Sequence, residues 1–374
     1  MKGALLLLCL TIPVHGAEQS RLNLEHADRA EGSGTREKRL IGNVRFVQDE
    51  AVLECDSARH NADQQSAVLQ GRVRFHKGIQ RLYSEQLLYF EDTRRALAEG
   101  NVKLIDSTKV LLADRLDLYD PERRAIADGA VVLLDTLEYL RITGEHAEYD
   151  QDRAYARVTI EPRFTKLDSI GSVDLTITGT IMEMFEDGDK IRITGDVVIT
   201  RGETLARCDS VHFFREDQRV ELFPNPIAWQ RDDILLGERM TLLLDGSDLK
   251  GIHIRGSSLV RSKIDSAGAI DPPFDLLTGE EITVSLREER IDTVKVRGRA
   301  TSYYHVIEDG EEKGLNKVLG DRIDLFFSEG ELQKVLVRSD PEPSEGIFYP
   351  PQDQDQIEGE LREELARVPR EAGE

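Results

Sequence analysis

The sequence predicts an all-β protein, an elongated β-jellyroll or β-solenoid built from stacked hairpin repeats. Three observations support this. Four glycines lie 29 residues apart, apolar and polar residues alternate around each glycine, and turn-forming residues separate the alternating runs. A fixed period is typical of folds that stack one supersecondary unit. The four glycines are Gly42, Gly71, Gly100 and Gly129.

The first strand of each repeat alternates with period two, as a strand with one buried face does. In the third repeat the apolar positions are Ala96, Ala98, Gly100, Val102 and Leu104. Small residues before the glycine and large ones after it predict a strand with a thin and a thick end. Strands of this kind, stacked in register, would enclose a tapering apolar trough. Side chains that simply fill a dry core would give the same pattern.

A second strand follows in each repeat, as at 110–119, and ends at a turn such as 120–124. The phase returns at Gly195, and 29 residues later stands Pro224. A proline there predicts a sheet edge or a bulge, because proline cannot donate to the ladder. Further on, the spacing lengthens to 42 and 41 residues, between Gly237, Gly279 and Gly320. We assign the added residues to loops.

These repeats define the predicted domain organisation. Residues 1–16 have the charged, apolar and small-residue order of a secretory signal. The regions that follow are the first repeat region, 17–162, the second repeat region, 163–263, the C-terminal hairpins that continue the same sheet, 264–340, and the tail, 341–374. The tail is acidic and rich in proline, so we predict that it is mostly disordered, with 357–368 as a candidate charged helix.

Composition excludes some functions. The net charge of −22 would repel phosphate backbones, so no nucleic-acid partner is expected. Cys55 and Cys208 occupy matching repeat positions several strand spacings apart, which predicts two buried thiols and no disulfide. Tyr303, Tyr304 and Trp229 could mark a binding face, but strand packing is the simpler interpretation.

No catalytic motif is present in the sequence. The histidines lie about one per repeat without the paired spacing of a metal site. There is no phosphate-binding glycine loop and no nucleophile elbow. The carboxylates recur with the repeat, which is typical of turns and outer faces. We therefore predict no enzymatic activity, no cofactor and no metal ion.

Two sequence motifs of the repeat resemble sequences of the OstA-like family. They are Gly-Asn-Val-Lys-Leu at 100–104 and Leu-Leu-Ala-Asp-Arg-Leu-Asp-Leu-Tyr-Asp at 111–120. Motifs similar to those of longer members of the family occur at 298–303, 320–326 and 346–350. The resemblance extends over about 22–336 and rests on the repetition of degenerate motifs.

The resemblance implies a twisted β-jellyroll whose interior shields the acyl chains of lipopolysaccharide. The family includes the periplasmic protein LptA and the amino-terminal domain of LptD, so the implied partners are lipopolysaccharide or a related lipid and LptC-like and LptD-like proteins, joined end to end by strand addition. No catalytic residue is implied. The residues that would line the lipid groove are Val73, Phe75, Val102, Leu104, Leu116, Leu118, Val131, Leu133, Ile193, Val197 and Ile199.

The sequence therefore predicts a non-enzymatic bridge that binds and transports lipopolysaccharide in the periplasm, including the inner face of the outer membrane, and supports outer-membrane assembly. The alternative is a secreted structural or adhesive β-solenoid with a dry core, and a carbohydrate-active enzyme on a β-helix is a further competitor. Bulky residues that meet across every rung would favour the dry core. A continuous open seam would favour the lipid carrier.

Overall fold

The computed structural model describes most of the chain between residues 23 and 368. The described ranges are 23–33, 37–48, 50–61, 63–119, 122–168, 170–245, 248–264, 274–288, 290–308, 311–329, 331–341 and 343–368. The predicted signal at 1–16 and the predicted loop at 265–273 lie outside the described residues.

The chain divides into two compact units, residues 1–195 and 196–374. This division differs from the predicted region boundaries after residues 162 and 263. Strand pairing crosses both of those places, because Thr143 pairs with Arg163 and Lys263 pairs with Phe274.

The first unit consists of antiparallel strands. They are β1 (Asn23–His26), β2 (Arg29–Ser33), β3 (Glu37–Gln48), β4 (Ala51–Asn61), β5 (Ser66–Lys77), β6 (Gln80–Phe90), β7 (Arg95–Asp106), β8 (Lys109–Tyr119), β9 (Arg124–Asp135), β10 (Leu140–Asp150), β11 (Tyr155–Thr159), β12 (Arg163–Leu167), β13 (Val173–Thr178), β14 (Ile181–Phe185) and β15 (Lys190–Arg201), which ends just past the boundary. Strands β3 to β10 pair in chain order. The predicted hairpin repeat is thus confirmed.

The second unit continues the all-β fold with longer strands, such as those of 19 and 18 residues at Arg290–Glu308 and Glu311–Ser328, so the assignment of the added residues to loops is wrong there. Its strands are β16 (Thr204–Phe214), β17 (Arg219–Phe223), β18 (Ile227–Gln230), β19 (Asp233–Leu236), β20 (Arg239–Asp245), β21 (Asp248–Lys263), β22 (Phe274–Arg287), β23 (Arg290–Glu308), β24 (Glu311–Ser328), β25 (Glu331–Arg338) and β26 (Glu345–Tyr349), followed by helix α1 (Asp355–Leu365). Strands β20 to β24 pair in order, and β24 pairs with β25 and β26 along different parts of its length.

Each repeat glycine begins a two-residue β-bulge. The backbone φ is +78° at Gly42, +77° at Gly71, +79° at Gly100 and +76° at Gly129, and the residue after each is left-handed as well. Strand pairing steps over both residues, since Glu99 pairs with Arg115 and Val102 pairs with Ala113. A bulge of this kind bends the strand. Each strand therefore has two halves, one on each side of the bend.

An acidic side chain covers each of these glycines, from the neighbouring strand or, at Gly42, from Asp28 just before β2. A Cβ added at Gly100 would lie 2.7 Å from Oε2 and 2.8 Å from Cβ of Glu85. Asp28, Asp56 and Asp114 take the same place at the bulges of β3, β5 and β9. The residue after the glycine often bonds the same acid, as Asn101 Nδ2 does to Glu85 Oε1 at 2.6 Å. Glycine is thus required by the backbone conformation and by the lack of space.

The second unit uses the same bulge at Gly256 and Gly298, which are 42 residues apart and covered by Glu238 and Glu280. The predicted repeat glycines of this unit play another part. Gly237, Gly279 and Gly320 have ordinary φ, and the first two directly precede the covering acids. A Cβ on them would lie 2.4 Å from a methyl carbon of Ile254 and 2.6 Å from one of Val296, so these glycines make room for inward side chains.

A bend can also divide a strand in two. Pro224 and Asn225, whose φ is +48°, lie between β17 and β18, and these two short strands pair with different halves of β16. In the first unit β11 and β12 pair with different halves of β10 in the same way. The structure thus places Pro224 at a strand break, where no ladder hydrogen bond is lost.

The described part of the tail, 343–368, forms regular structure where the sequence predicted mostly disorder. Strand β26 pairs with β24, and α1, of 11 residues, lies within the candidate helical segment extended by two residues at its start. Composition misleads here because the few apolar residues are well placed: Ile357 and Leu361 share one face of α1, and Ile357 is only 3% exposed. Over the described part of the chain, no helix has the length and apolarity needed to cross a bilayer.

Cys55 and Cys208 are both buried and free, which confirms the predicted thiols. They keep their matching environment, since each Sγ donates to a backbone oxygen two residues on, of Ser57 and of Ser210, at 3.3 Å. Burial raises the pKa of Cys55 to about 11 and that of Cys208 to about 12. Both thiols are therefore neutral and poorly nucleophilic at neutral pH.

Replacing the bulge glycine is expected to destabilise the fold. In Gly100→Ala the left-handed backbone alone costs about 1 to 2 kcal/mol, and the new methyl group also displaces Glu85. Gly78→Ala is the matched control, because Gly78 has a φ of +54° with open space around the added Cβ. Urea unfolding should show the larger loss for Gly100→Ala. Equal losses would mean that the covering acid imposes no constraint.

The thiols should be protected until the fold opens. A thiol-specific chromogenic reagent at neutral pH is expected to react with Cys55 and Cys208 slowly in the native protein and quickly in denaturant. Fast native labelling of either residue would contradict the buried environment described above.

Candidate functional site: the apolar interior

The predicted groove residues belong to rows of apolar side chains that pair from strand to strand. We call the first row the leucine ladder: Phe46, Leu53, Phe75, Leu82, Leu104, Leu111, Leu133, Ile142 and Phe164. It crosses nine strands on one side of the bend. Each member directly faces the next, so the row is continuous across these strands.

Two further rows lie on the other side of the bend. The central ladder consists of Leu69, Leu87, Ala98, Leu116, Ala127, Ala147, Val158, Met182 and Ile193. The alanine ladder consists of Ala67, Tyr89, Ala96, Leu118, Ala125, Tyr149, Ala156 and Met184. The described first unit contains no α-helix that could cover these rows.

Most of the predicted lining is buried. Nine of the eleven residues are buried, whereas Phe75 and Ile199 are half-buried. Phe75, Leu104 and Leu133 lie in the leucine ladder, and the valines of the set directly follow the bulges. The structure thus gathers the first-unit members on one inner face, while their role in lipid binding stays a prediction.

The predicted taper is absent. Ala96 faces Tyr89 and Leu118 on its two neighbours, and Ala98 faces Leu87 and Leu116. Large side chains of even-numbered strands therefore compensate for small ones of odd-numbered strands. The sequence interpretation considered one strand of each hairpin, and the partner strand carries large residues opposite the small ones.

The outer face carries charge. Arg72 and Asp56 form an ion pair at 2.6 Å, but Arg72 is 74% exposed, so the pair adds little stability. Asp117 is buried on this face because Arg95 donates to it at 2.7 Å and lies between two aromatic rings, 5.7 Å from Phe90 and 5.1 Å from Tyr119. No metal-binding group of His, Cys, Asp and Glu occurs among the described residues.

The second unit has its own apolar cluster, and α1 covers it. The cluster, here called the capped cluster, consists of Ile234, Leu236, Leu259, Leu276, Tyr303 and Leu315, with Ile357 of α1 packed on it. Tyr303 and half-buried Trp229 belong to this packing, whereas Tyr304 is 41% exposed. Sequence reasoning did not predict that the tail covers this cluster. The signal that could have shown it is the spacing of Ile357 and Leu361, one helical turn apart in the polar tail.

These observations define a class of protein: an all-β chain of bulged hairpin repeats that bury an apolar interior. Residues 19–127 match the family model described as OstA-like protein. The matched residues contain the bulges at Gly42, Gly71 and Gly100. The chain is therefore OstA-like over this region, as the repeated phrases predicted.

Several solved structures are similar to part of the chain. One of them is LptH from Pseudomonas aeruginosa, described as the LptA homologous periplasmic component of the conserved lipopolysaccharide transport device. The sequence identity is 14% and the TM-score 0.26, over 37% of this chain and 92% of that one. No curated protein matches the chain.

Truncating a ladder residue should cost far more than truncating its outward neighbour. Leu104 is 1% exposed, so Leu104→Ala is expected to lower the free energy of unfolding by about 2 to 5 kcal/mol. Lys103→Ala, on the exposed face, should change it by less than about 0.5 kcal/mol. Denaturant unfolding of both variants tests this. A small loss for Leu104→Ala would show that the ladder is loosely packed.

Proposed function

We propose that this protein binds lipopolysaccharide or a related lipid in the apolar interior of its first unit and supports outer-membrane assembly without an enzymatic step. The observation that carries the proposal is the uninterrupted leucine ladder, which begins within the OstA-like residues 19–127. Burying an acyl chain against such a surface stabilises the complex by about 0.8 kcal/mol per CH₂ group.

The length of the ladder suits a chain-shaped ligand. At about 4.8 Å per strand, nine paired strands extend about 40 Å. The row is apolar throughout, so a lipid tail would find the same environment at every strand. Such a surface favours movement along the row over tight binding at one point.

The ends of the ladder are the places where a lipid would insert. Phe46 and Phe75 are half-buried at one end and Phe164 is half-buried at the other, whereas Leu82 and Leu104 in the middle are 2% and 1% exposed. Aromatic rings at the ends can turn aside at little cost compared with separating the packed middle. Insertion from an end also fits transport from one module to the next.

Strand addition would supply the partners. Strands β1 and β2 each pair with β3, and their side chains are mostly exposed. Exposed strands at the start of a sheet are templates for another strand. LptC-like and LptD-like modules in the periplasm, with the latter at the inner face of the outer membrane, are the partners we propose.

A dry structural core is the second candidate, and one observation favours it. Leu82, Leu104 and Leu111 face each other directly across consecutive strands, so bulky side chains do meet along the leucine ladder. In that case the interior would stabilise the fold without binding a lipid, and the protein would be a structural or adhesive solenoid.

Photocrosslinking in cells decides between these functions. Benzoylphenylalanine at Phe75 replaces one aromatic residue by another at a half-buried ladder position, and the exposed Arg74 is the outward control. We expect ultraviolet-dependent crosslinks to lipopolysaccharide from Phe75 and none from Arg74. A probe at Leu104 extends the test to the packed middle.

Absence of any lipid adduct from Phe75 and Leu104, in protein that is folded and exported, would leave the dry core as the better explanation. Equal crosslinking from Arg74 would show surface adsorption and would likewise contradict the proposal.

A further inference from the structure

Helix α1 seals the capped cluster of the second unit. Ile357 is 3% exposed on that cluster, and Leu361 and Val368 pack against it. Ile357 and Leu361 are one helical turn apart, so they form an apolar stripe on one face of the helix. The helix thus places two branched hydrocarbon side chains over an apolar surface made by strands.

A cation lies beside this apolar surface. Lys317 of β24 pairs with Tyr303 of β23 in the sheet, and its Nζ lies 5.8 Å from the centre of the Tyr303 ring. The Lys317 side chain is only 12% exposed. Since Tyr303 is 2% exposed within the capped cluster, Lys317 lies on the inner face of the sheet. A charge in such surroundings needs a partner of opposite sign.

The helix supplies that partner. Glu360 accepts hydrogen bonds from Lys317 Nζ at 2.6 and 2.8 Å and from the Tyr303 hydroxyl at 2.6 Å. Burial alone would raise the pKa of Glu360, but these two donors outweigh it and hold the pKa below its ordinary value. The carboxylate is therefore an anion held by one lysine and one phenol at the edge of an apolar surface.

A further donor borders the cluster. Trp229 packs against the capped cluster, and its buried indole Nε1 has no acceptor within the part of the chain that the structure describes. A ligand oxygen at this place would satisfy it. The arrangement thus combines an apolar floor with one cation, Lys317, and two neutral donors, Tyr303 and Trp229. Helix α1 supplies an acceptor to Lys317 and Tyr303 but not to Trp229.

We propose that α1 occupies the binding site of an amphiphile with an alkyl chain and a phosphate or carboxylate group, and that such a ligand displaces it. Ile357 and Leu361 stand where the alkyl chain would lie, and Glu360 stands where the anionic group would bind Lys317 and Tyr303. This proposal rests on the proposed lipid-binding function and extends it to the second unit.

The helix is suited to being displaced. Eleven residues are too few for a stable isolated helix, so α1 depends on its contacts with the sheet. Gly359 lies at its middle, where glycine is unfavourable, and a Cβ there would meet nothing within 4 Å. Because α1 follows β26 after a short connection, it returns to the site once the ligand leaves.

Trp229 is the single tryptophan of the chain and reports the exchange directly. The experiment titrates the full chain with dodecyl phosphate below its micelle concentration and follows the Trp229 emission. Dodecyl maltoside supplies the same alkyl chain without charge, and inorganic phosphate supplies the anion without the chain. We expect dodecyl phosphate to bind best and inorganic phosphate to give no spectral change.

Two variants of α1 should move the affinity in opposite directions. Glu360→Gln weakens the cover and should tighten dodecyl phosphate binding about tenfold. Gly359→Ala strengthens the helix without touching the site and should weaken binding several-fold. Glu363→Gln is the matched control, because it makes the same charge change at an exposed position of the same helix. It should leave the affinity unchanged.

Variants of the sheet test the anion site itself. Lys317→Met keeps the apolar stem and removes the charge, so it should abolish the preference for dodecyl phosphate over dodecyl maltoside. Tyr303→Phe serves if Lys317→Met does not fold, and it should reduce the same preference.

Equal affinities for Glu360→Gln and Glu363→Gln, or tight binding of inorganic phosphate alone, would overturn the proposal. The first outcome would show that α1 does not compete, and the second that the site takes a free anion. If dodecyl phosphate does not displace α1 but Phe75 still crosslinks to lipopolysaccharide, only the site in the second unit is refuted. If Phe75 gives no crosslink but Trp229 reports displacement of α1, the proposed function of the first unit is refuted instead.

Discussion

The two-residue bulge is the constraint on which both units depend. It places two left-handed residues in the middle of a strand and an acidic side chain over the first, as at Gly100 and Glu85, so only glycine is tolerated there. In the second unit the period grows from 29 to 42 residues, yet Gly298 and Glu280 repeat the same contact. The bend is therefore the invariant feature, and the period follows from how long the strands on either side of it are.

A bulge at the same place in alternate strands, β3, β5, β7 and β9, aligns the inner faces of neighbouring strands into ladders. In the alanine ladder a small residue faces a large one, as Ala96 faces Leu118, whereas leucines face each other along the leucine ladder, as Leu104 faces Leu111. Close packing of both kinds stabilises the fold. It also gives an apolar surface with no preferred stopping point, which is the property that transport of a long hydrocarbon requires.

Sequence reasoning predicted the strands, the repeat and most of the inner face, because period-two alternation and a fixed glycine spacing are local signals. It singled out Gly100 but took the glycine for a small inward residue of a regular strand and did not predict the bulge, since a left-handed φ and the acid above it are visible only once strands pair. It missed the cover of the capped cluster for a related reason. The tail is polar on average, and the burial of Ile357 depends on a surface formed by strands far away in the chain.

The effect of the net negative charge on anionic lipids depends on where the lysines and arginines lie. A net charge of −22 repels anionic lipids from the outer surface, where most lysines and arginines are exposed and screened. Lys317 is different, because it lies in a poorly hydrated place where a charge interacts more strongly. An acidic exterior would then suppress adsorption of anionic lipid, while an interior cation under a detachable helix would admit only a ligand able to bury its hydrocarbon at the same time.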